Sequence, residues 1–235
     1  MIIFSLITAR CGSNGLKDKN ILDYNGHPMI AHSIMISKKS QFINETFVST
    51  DSQKYADISK NYGALVPFIR PSEYAQDLST DFEVFKHFTD FLKENNYPQS
   101  DFIIHLRPTY PNRTLELMNH CIQTFISHYH FYDSLRTVMP IDKNPQKMYK
   151  IIDNKLIPYF DHYNYIHEPY NMPRQLFETS YVHNGCIDII KTSCITQLQS
   201  MSGNHIFPFI MHENNDIDSK DDLIKSMNTL NINNN

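Results

Sequence analysis

Glycines and basic side chains are concentrated directly after the first apolar run of the sequence. Residues 2–7 read as a buried strand, and the loop that follows, Ala9 to Asn20, contains Arg10, Gly12, Ser13 and Lys19. Glycines let a backbone come close to a ligand, and successive backbone N–H groups can form an anion-binding concavity. Arg and Lys add charge for phosphate oxygens. The loop therefore predicts nucleotide-phosphate binding, with a plain surface loop as the alternative, because neither common phosphate-binding glycine spacing is present.

Two carboxylates near the C-terminus have the spacing of a cation site. Asp216 and Asp218 flank Ile217 between the last predicted strand and the last predicted helix. In extended backbone, residues two apart point to the same side. Oxygen ligands suit Mg²⁺, which keeps waters and adds substrate phosphates. The pair predicts a Mg²⁺ site, and the alternative is a solvated turn within an Asn- and Asp-rich segment.

Arginines stand at or just beyond the ends of several predicted strands. Arginine can grip a phosphate or carboxylate through two parallel hydrogen bonds. The chain carries a formal net charge of −4, so an anionic ligand has to be met by a local cluster of cations. The candidates for such a crevice are Arg70, Arg107, Arg113, Arg174, Lys19 and Lys147.

Strand-like and helix-like segments alternate along the chain and must position these groups. Strands are predicted over 2–7, 46–50, 64–69, 101–106, 134–139, 185–190 and 205–211, and helices over 28–36, 52–61, 81–95, 115–127, 192–199 and 219–227. This alternation predicts an α/β fold with a mostly parallel sheet flanked by helices. Ligands bind beyond the carboxyl ends of such strands. The loops after Leu6, Phe68 and Leu106 should therefore converge on one crevice.

Composition limits the classes of protein to consider. The 235 residues suffice for one large domain or a domain with a lobe, and the negative net charge argues against a nucleic-acid partner. No apolar run is long enough to predict a membrane span. The four scattered cysteines form no CxxC pair, which argues against zinc and for reduced thiols in a cytoplasmic protein.

Residues from about 140 to 180 break the alternation. This stretch is rich in Asn, Tyr, His and Pro and has weak periodicity. We interpret it as an inserted lobe, and its aromatic residues are typical of a partner surface. The alternative is a long loop packed on its own body.

A series of motifs, in order along the chain, resembles those of the acylneuraminate cytidylyltransferases, which activate sialic-acid-type sugars as CMP conjugates. Ala9 to Asn20 resembles the family's ARxGSKGxxxKN loop, and Val48 to Asp51 its second strand end. Arg70 to Asp77 resembles RPxxLAxD, and Leu106 to Thr114 resembles LQPTSPLRT. Pro173-Arg174-Gln175 and Asn184-Gly185 resemble the RQ and NGAIY elements, and Asp216-Ile217-Asp218 resembles the closing DID.

The resemblance implies a single nucleotidyltransferase domain over 1–235 with a swapped dimerisation lobe at about 140–180, hence a homodimer. It implies that CTP and a sialic-acid-like nonulosonic acid react on Mg²⁺ and release pyrophosphate. Catalytic roles would fall to Arg10, Lys19, Asp216 and Asp218, the last two as Mg²⁺ ligands. CTP would be bound by Arg10, Gly12, Ser13, Asn20, Arg70, Ser79 and Asp81. The sugar acid would be bound by Arg107, Thr109, Lys147, Arg174, Gln175, Asn184 and Asp188.

The chain departs from the family pattern at four positions. Asn14 stands where a Lys is usual, Arg107 replaces Gln, Tyr110 replaces Ser and Asp188 replaces Tyr. Arg in place of neutral Gln changes charge and shape on the sugar side. We therefore expect a nonulosonic acid of legionaminic or pseudaminic type as well as sialic acid itself to be candidates. The alternatives are another nucleotidyltransferase, a nucleotide-sugar glycosyltransferase of similar fold, or a catalytically weakened homologue that acts as a binding protein.

Overall fold

The computed structural model describes residues 1–12, 16–212, 215–217 and 219–233. Its strands are β1 (Ile3–Thr8), β2 (Asp23–Tyr24), β3 (His27–Pro28), β4 (Glu45–Ser49), β5 (Phe102–His105), β6 (Ser134–Ile141), β7 (Tyr149–Ile152), β8 (Lys155–Pro158), β9 (His162–Tyr163), β10 (Ile166–His167), β11 (Ser180–Lys191) and β12 (Ile206–Ile210). Its helices are α1 (Met29–Lys39), α2 (Gln53–Asn61), α3 (Asp81–Glu94), α4 (Leu115–His128), α5 (Thr192–Thr196) and α6 (Lys220–Asn233). Within these ranges, no helix is both long and apolar enough to cross a bilayer.

Six strands form the central sheet in the order β12-β6-β11-β5-β1-β4. β1 runs parallel to β4 and β5, and β12 runs parallel to β6. β11 alone in this sheet runs antiparallel to both of its neighbours, β5 and β6. The expectation of a mostly parallel α/β sheet is thus confirmed, and β11 is its exception.

Helices cover both faces of the sheet, as the alternation predicts. On one face, Ile104 of β5 packs in a core with residues of α1 and α4, including Ile34 and Phe125. On the other face, Ile103 packs with Phe85 and Phe88 of α3. Adjacent residues of one strand therefore lie in different cores, which is why the sheet strands are apolar almost throughout.

Side-chain caps set the starts of several helices. Thr80 and Glu83 form a reciprocal capping box at the start of α3. At the start of α6, the Ser219 hydroxyl donates to Asp222 Oδ2 at 2.7 Å and accepts from the Asp222 N–H at 3.2 Å, which confirms the predicted cap.

The predicted strand over 64–69 is wrong. Only Leu65 bridges to the sheet, beside Phe47. Two residues later stands Pro67, which has no N–H to donate, so pairing does not continue. The chain then rejoins the sheet at the Arg70 N–H, which donates to the carbonyl of Thr50 at 2.8 Å.

Residues 140–180 contain two small antiparallel ribbons, β7–β8 and β9–β10. The β7–β8 turn consists of Asp153 and Asn154, both in the left-handed region that tight hairpins require. The apolar side chains of this ribbon are not covered: Ile151 is 75% and Leu156 is 62% exposed.

Candidate active site

Three chain segments meet in a cleft of about 210 Å³ at the carboxyl ends of β1 and β5. They are the loop after β1, residues 70–81, and the loop after β5, so the predicted convergence is confirmed. Seven of the predicted site residues line this cleft: Arg10, Asn20, Arg70, Ser79, Asp81, Arg107 and Thr109.

The loop after β1 is held in shape by Asn20. This buried side chain donates from Nδ2 to the carbonyl of Arg10 at 3.0 Å, so it fixes the backbone at the start of the loop. The Arg10 guanidinium forms an ion pair with Asp77 across the cleft at 2.6 Å. A Cβ added at the exposed Gly12 would meet no atom within 4 Å, so the described part of the fold does not itself require glycine there. Lys19 is half-buried at the start of a short 3₁₀ turn.

Three residues of this site lie outside the described residues, namely Ser13, Asn14 and Asp218. Their predicted roles, as phosphate contact, departure from the family pattern and metal ligand, stay predictions.

Arg70 is the most deeply buried cation of the cleft wall, at 4% exposure. Its Nε and Nη2 groups make no hydrogen bond to any residue that the structure describes, and its nearest carboxylate, Asp51, is 4.0 Å away. Burial lowers its pKa. A guanidinium never loses its proton in proteins, so Arg70 is a desolvated cation in the cleft wall with two buried donors unused. Such a group favours an anionic or carbonyl-bearing ligand.

Ser79 fixes the conformation of residues 73–79, within the second segment of the cleft. Its hydroxyl donates to the carbonyl of Glu73 at 3.0 Å and accepts from the N–H of Gln76 at 2.9 Å. The turn that places Ser79 in the cleft wall is therefore built by Ser79 itself.

Arg107 lies between two carboxylates. Its Nη1 donates to Asp188 Oδ2 and its Nη2 to Asp81 Oδ2, each at 2.8 Å. The side chain is therefore held by the protein and does not extend freely into the cleft. Two of the departures from the family pattern, Arg107 for Gln and Asp188 for Tyr, thus form one ion pair.

Asp188 is a buried carboxylate surrounded by donors. Besides Arg107, it accepts from Arg136 Nε at 3.1 Å and lies 3.0 Å from His183 Nε2. Burial opposes its ionisation, but the hydrogen bond from His183 and the charge of Arg107 outweigh burial, so its pKa lies well below the usual range. Partial burial likewise opposes the ionisation of Asp81, and the adjacent His105 and Arg107 lower its pKa.

A bulge in β11 brings His183 and Asp188 together. The pairing register with β6 shifts between these residues, and Gly185 within the shift has φ +68°. Residues five apart would point to opposite faces of a regular strand, so the irregularity is what lets both side chains meet. Asn184 is buried inside the bulge, where its Oδ1 accepts from Thr137 Oγ1 at 2.7 Å and from the Cys186 N–H at 3.2 Å. It braces the bulge and does not line the cleft.

Asp216 lies next to Arg107. A Cβ added at Gly185 would be 3.7 Å from both Arg107 Cδ and Asp216 Oδ2, and the N–H of Ile217 donates to the Thr109 carbonyl at 2.8 Å. The described residues contain no group of three or more His, Cys, Asp or Glu suited to a metal ion. The carboxylate oxygens of Asp216 are of the hard type that suits Mg²⁺, which proteins hold with one or two carboxylates and substrate phosphates.

Arg113 is a structural brace and not an anion-binding group. It is buried, and its guanidinium donates to the carbonyls of Cys186 and Arg107 and to Ser33 Oγ at 2.8, 3.2 and 3.1 Å. These contacts join α1, β11 and the loop after β5, so Arg113 fixes the position of that loop.

The remaining predicted sugar-acid residues lie on residues 140–180. Lys147 and Arg174 line a different cavity, of about 280 Å³, and Lys147 Nζ donates to the carbonyl of Met172. Gln175 is exposed beside Arg174. Within one chain, these three residues are not part of the wall of the cleft that contains Arg10 and Arg70.

Sequence reasoning missed His105, Arg136 and His183. His105 is fully buried, with Nε2 2.8 Å from Thr8 Oγ1 and its ring 5.0 Å from that of Phe85. Burial, reinforced by the charge of Arg107, lowers its pKa to about 4. Polar residues inside otherwise apolar strands are the signal that could have identified these positions, since a buried ionisable group needs a partner.

The comparisons with known proteins agree with this geometry. A family model described as "Cytidylyltransferase" matches residues 4–111. The "Post-translational flagellin modification protein B" of Campylobacter coli is 31% identical over 225 residues, which cover 94% of this chain and 92% of that protein. The chain belongs to the cytidylyltransferase family.

Other similar proteins differ in how much of their length aligns with this chain. "CMP-N,N'-diacetyllegionaminic acid synthase" of Legionella pneumophila is 35% identical over 149 residues, 62% of this chain and 61% of that protein. "N-acylneuraminate cytidylyltransferase" of Escherichia coli is 26% identical over 93% of this chain, which spans about half (49%) of that protein. A solved CMP:2-keto-3-deoxy-manno-octonic acid synthetase in complex with CTP shares the fold, with a TM-score of 0.71, 15% identity and 99% and 100% coverage of the two chains.

The buried His105 predicts a loss of stability in mild acid. Its ordinary pKa of 6.5 is lowered to about 4 in the folded protein, so between these values the unfolded chain binds a proton that the folded protein does not. The free energy of unfolding must therefore fall as pH falls through this window. His105→Gln should reduce the fall between pH 7 and pH 4.5 by about 2 kcal/mol, measured by denaturant unfolding. The exposed His130→Gln serves as the control, and parallel pH curves for His105→Gln and the parent protein would contradict the account.

Proposed function

We propose that this protein transfers CMP from CTP to the anomeric hydroxyl of a sialic-acid-like nonulosonic acid and releases pyrophosphate. Membership in the cytidylyltransferase family supports the nucleotide and the reaction class. Relatives named for N,N'-diacetyllegionaminic, N-acylneuraminic and pseudaminic acids support the sugar class. The observation that carries the proposal is Arg70, a buried cation with unused donors in the wall of a cleft between three loops.

CTP would lie across the cleft between the loop after β1 and residues 70–81. Arg10, Gly12, Ser13 and Lys19 would bind its phosphates, with Asn20 holding the loop in shape. The Arg10 guanidinium would then exchange its ion pair with Asp77 for a phosphate oxygen. Arg70, Ser79 and Asp81 would face the cytosine and ribose.

Charge stabilisation and positioning are the help that this reaction needs. Attack of a sugar hydroxyl on the α-phosphate builds negative charge on phosphoryl oxygens, which fixed cations stabilise. Arg10 and Lys19 would supply that charge.

Mg²⁺ would be held by Asp216 and Asp218 with oxygens of the triphosphate. Such an ion, when bound, lowers the pKa of a coordinated hydroxyl and offsets phosphate charge. What supports this role for Asp216 is its closeness to Gly185, where a Cβ would be 3.7 Å from Asp216 Oδ2 and from Arg107 Cδ.

The sugar acid would have to fit a binding site in which an ion pair replaces the usual Gln and Tyr. Arg107 and Asp188 replace two neutral side chains with a bound pair of opposite charges. This change favours a legionaminic- or pseudaminic-type acid over sialic acid.

The lobe at 140–180 would form a homodimer and complete the site. Its ribbons leave Ile151 and Leu156 uncovered, and such patches are typical of association surfaces. Lys147 and Arg174 lie apart from the cleft of their own chain. In a symmetric dimer, the lobe of one copy would bring these two cations to the cleft of its partner, where they would bind the sugar carboxylate.

The four cysteines form no disulfide, which supports a cytoplasmic location.

Pyrophosphate release tests the reaction. With CTP, Mg²⁺ and a panel of N-acetylneuraminic, N,N'-diacetyllegionaminic and pseudaminic acids, we expect release with at least one acid and none with UTP, ATP or without acid. Arg70→Gln should raise the KM for CTP by about 10- to 100-fold, because a charged hydrogen bond to the nucleotide is lost. Lys60→Gln, an exposed cation on α2, is the control. Absence of release with every acid, or an unchanged KM for CTP in Arg70→Gln, would refute the proposal.

Mixed dimers test the shared site. Arg10→Ala and Lys147→Ala should each be nearly inactive alone. Co-expressed, they should recover about a quarter of the parent activity, because half the dimers are mixed and each mixed dimer has one intact site. If Lys147 serves the cleft of its own chain, every site in the mixture carries a defect and no activity returns.

A further inference from the structure

We infer that Asp188 is a positioning residue that holds Arg136 as the hydrogen-bond donor for acceptor oxygens of the sugar acid, with His183 fixed beside it as a second polar contact. The inference rests on the proposed function and adds Arg136 and His183, which neither the family motifs nor the cleft lining include. Its basis is the arrangement of charged side chains across β5, β11 and β6.

These side chains form a lateral row on one face of the sheet. In register, Asp188 on β11 is paired with His105 on β5 on one side and with Arg136 on β6 on the other. That face also carries Phe85 of α3, whose ring meets that of His105 edge-to-face. The row therefore begins on β5, the neighbour of β1, and extends across β11 to β6, away from β1.

Arg107 and Arg136, the two arginines that contact Asp188, differ in how many N–H donors remain for a ligand. Arg107 spends both Nη groups on Asp188 and Asp81, so it cannot grip a substrate anion with two parallel bonds. Arg136 uses only Nε, toward Asp188, and its two Nη groups hydrogen-bond nothing in the part of the chain that the structure describes. Its side chain is 30% exposed. Arg136 is thus held in place through Nε and keeps both Nη groups for a ligand.

His183 shares this orientation. Its Nε2 contacts the same carboxylate oxygen, Oδ1 of Asp188, that Arg136 does, and its side chain is 31% exposed. Only the bulge around Gly185 allows this contact. One buried carboxylate therefore sets the directions of two partly exposed side chains, which is how a binding site is preorganised.

The chemistry of the donors defines the ligand. Arg offers N–H groups and no acceptor, in a planar fork that matches a carboxylate or a pair of oxygens. On a nonulosonic acid, such oxygens belong to the carboxylate or to an acyl carbonyl. The shared requirement is an acceptor oxygen, and the two sources can be separated with substrate analogues.

Steady-state kinetics of Arg136→Gln tests the inference. We expect the KM for the preferred sugar acid to rise by about 10- to 100-fold while the KM for CTP stays within about twofold. His183→Gln should give a smaller change of the same kind. Arg136→Lys should recover only part of the loss, because an ammonium keeps the charge but not the fork. Asp188→Asn should raise the same KM although Asp188 donates nothing to the sugar. Lys60→Gln is the control, and thermal unfolding checks that each variant is folded.

Analogues identify the oxygen. If the loss in Arg136→Gln is equal for N-acetylneuraminic acid and its analogue with hydroxyl in place of acetamido, the contact is to the carboxylate. If the loss is confined to the acetamido compound, the contact is to the acyl oxygen. Either result supports the inference. A folded Arg136→Gln with unchanged KM for sugar and for CTP would overturn it while leaving the cytidylyltransferase proposal intact, whereas failure of the parent protein to release pyrophosphate would refute that proposal itself.

Discussion

The Arg107 guanidinium, fixed between Asp81 and Asp188, is the interaction on which the site depends. It connects the first residue of α3, the loop after β5 and the antiparallel strand β11. Removing a charge from water costs several kcal/mol, and close opposite charges with well-aligned hydrogen bonds offset that cost. Asp188, nearly without solvent contact, would be left poorly compensated without Arg107. The positions of two walls of the cleft are therefore coupled through one side chain.

This coupling gives a physical reason for the departures from the family pattern. A buried Asp in place of Tyr would be costly alone, and an Arg in place of Gln would have only Asp81 as its partner carboxylate. Together they form a bound pair, and the pair acquires Arg136 and His183 as further partners. Two neutral side chains of the family pattern are thereby replaced by a charged group whose members have fixed directions. A change of substrate would explain why Arg107 and Asp188 changed together to opposite charges. A general loss of activity would not require these two residues to be complementary.

Much of the fold and part of the site could be predicted from the sequence, because local patterns determine them. Apolar strands, helix caps such as Ser219 with Asp222, and the rule that ligands bind beyond strand ends led to the cleft and to Arg10, Arg70 and Arg107 within it. The strand over 64–69 was mispredicted because a single proline ends the pairing. The antiparallel direction of β11, the bulge at Gly185 and the partners of Arg107 depend on residues far apart in sequence. The periodicity of the sequence does not predict such long-range contacts. Arg107 was therefore predicted to bind an anionic ligand, and His105, Arg136 and His183 were not predicted as site residues. The separation of Lys147 and Arg174 from the cleft is likewise a tertiary property.

A double-mutant cycle on Arg107 and Asp188 tests the central claim most directly. The free energy of unfolding would be measured by denaturant titration for the parent, Arg107→Gln, Asp188→Asn and the double variant. The account predicts that each single change costs about 3 kcal/mol. The double variant should cost little more than either, with a coupling energy of about 2 kcal/mol. Costs that add to within about 0.5 kcal/mol would show that the two residues act independently and would contradict the account.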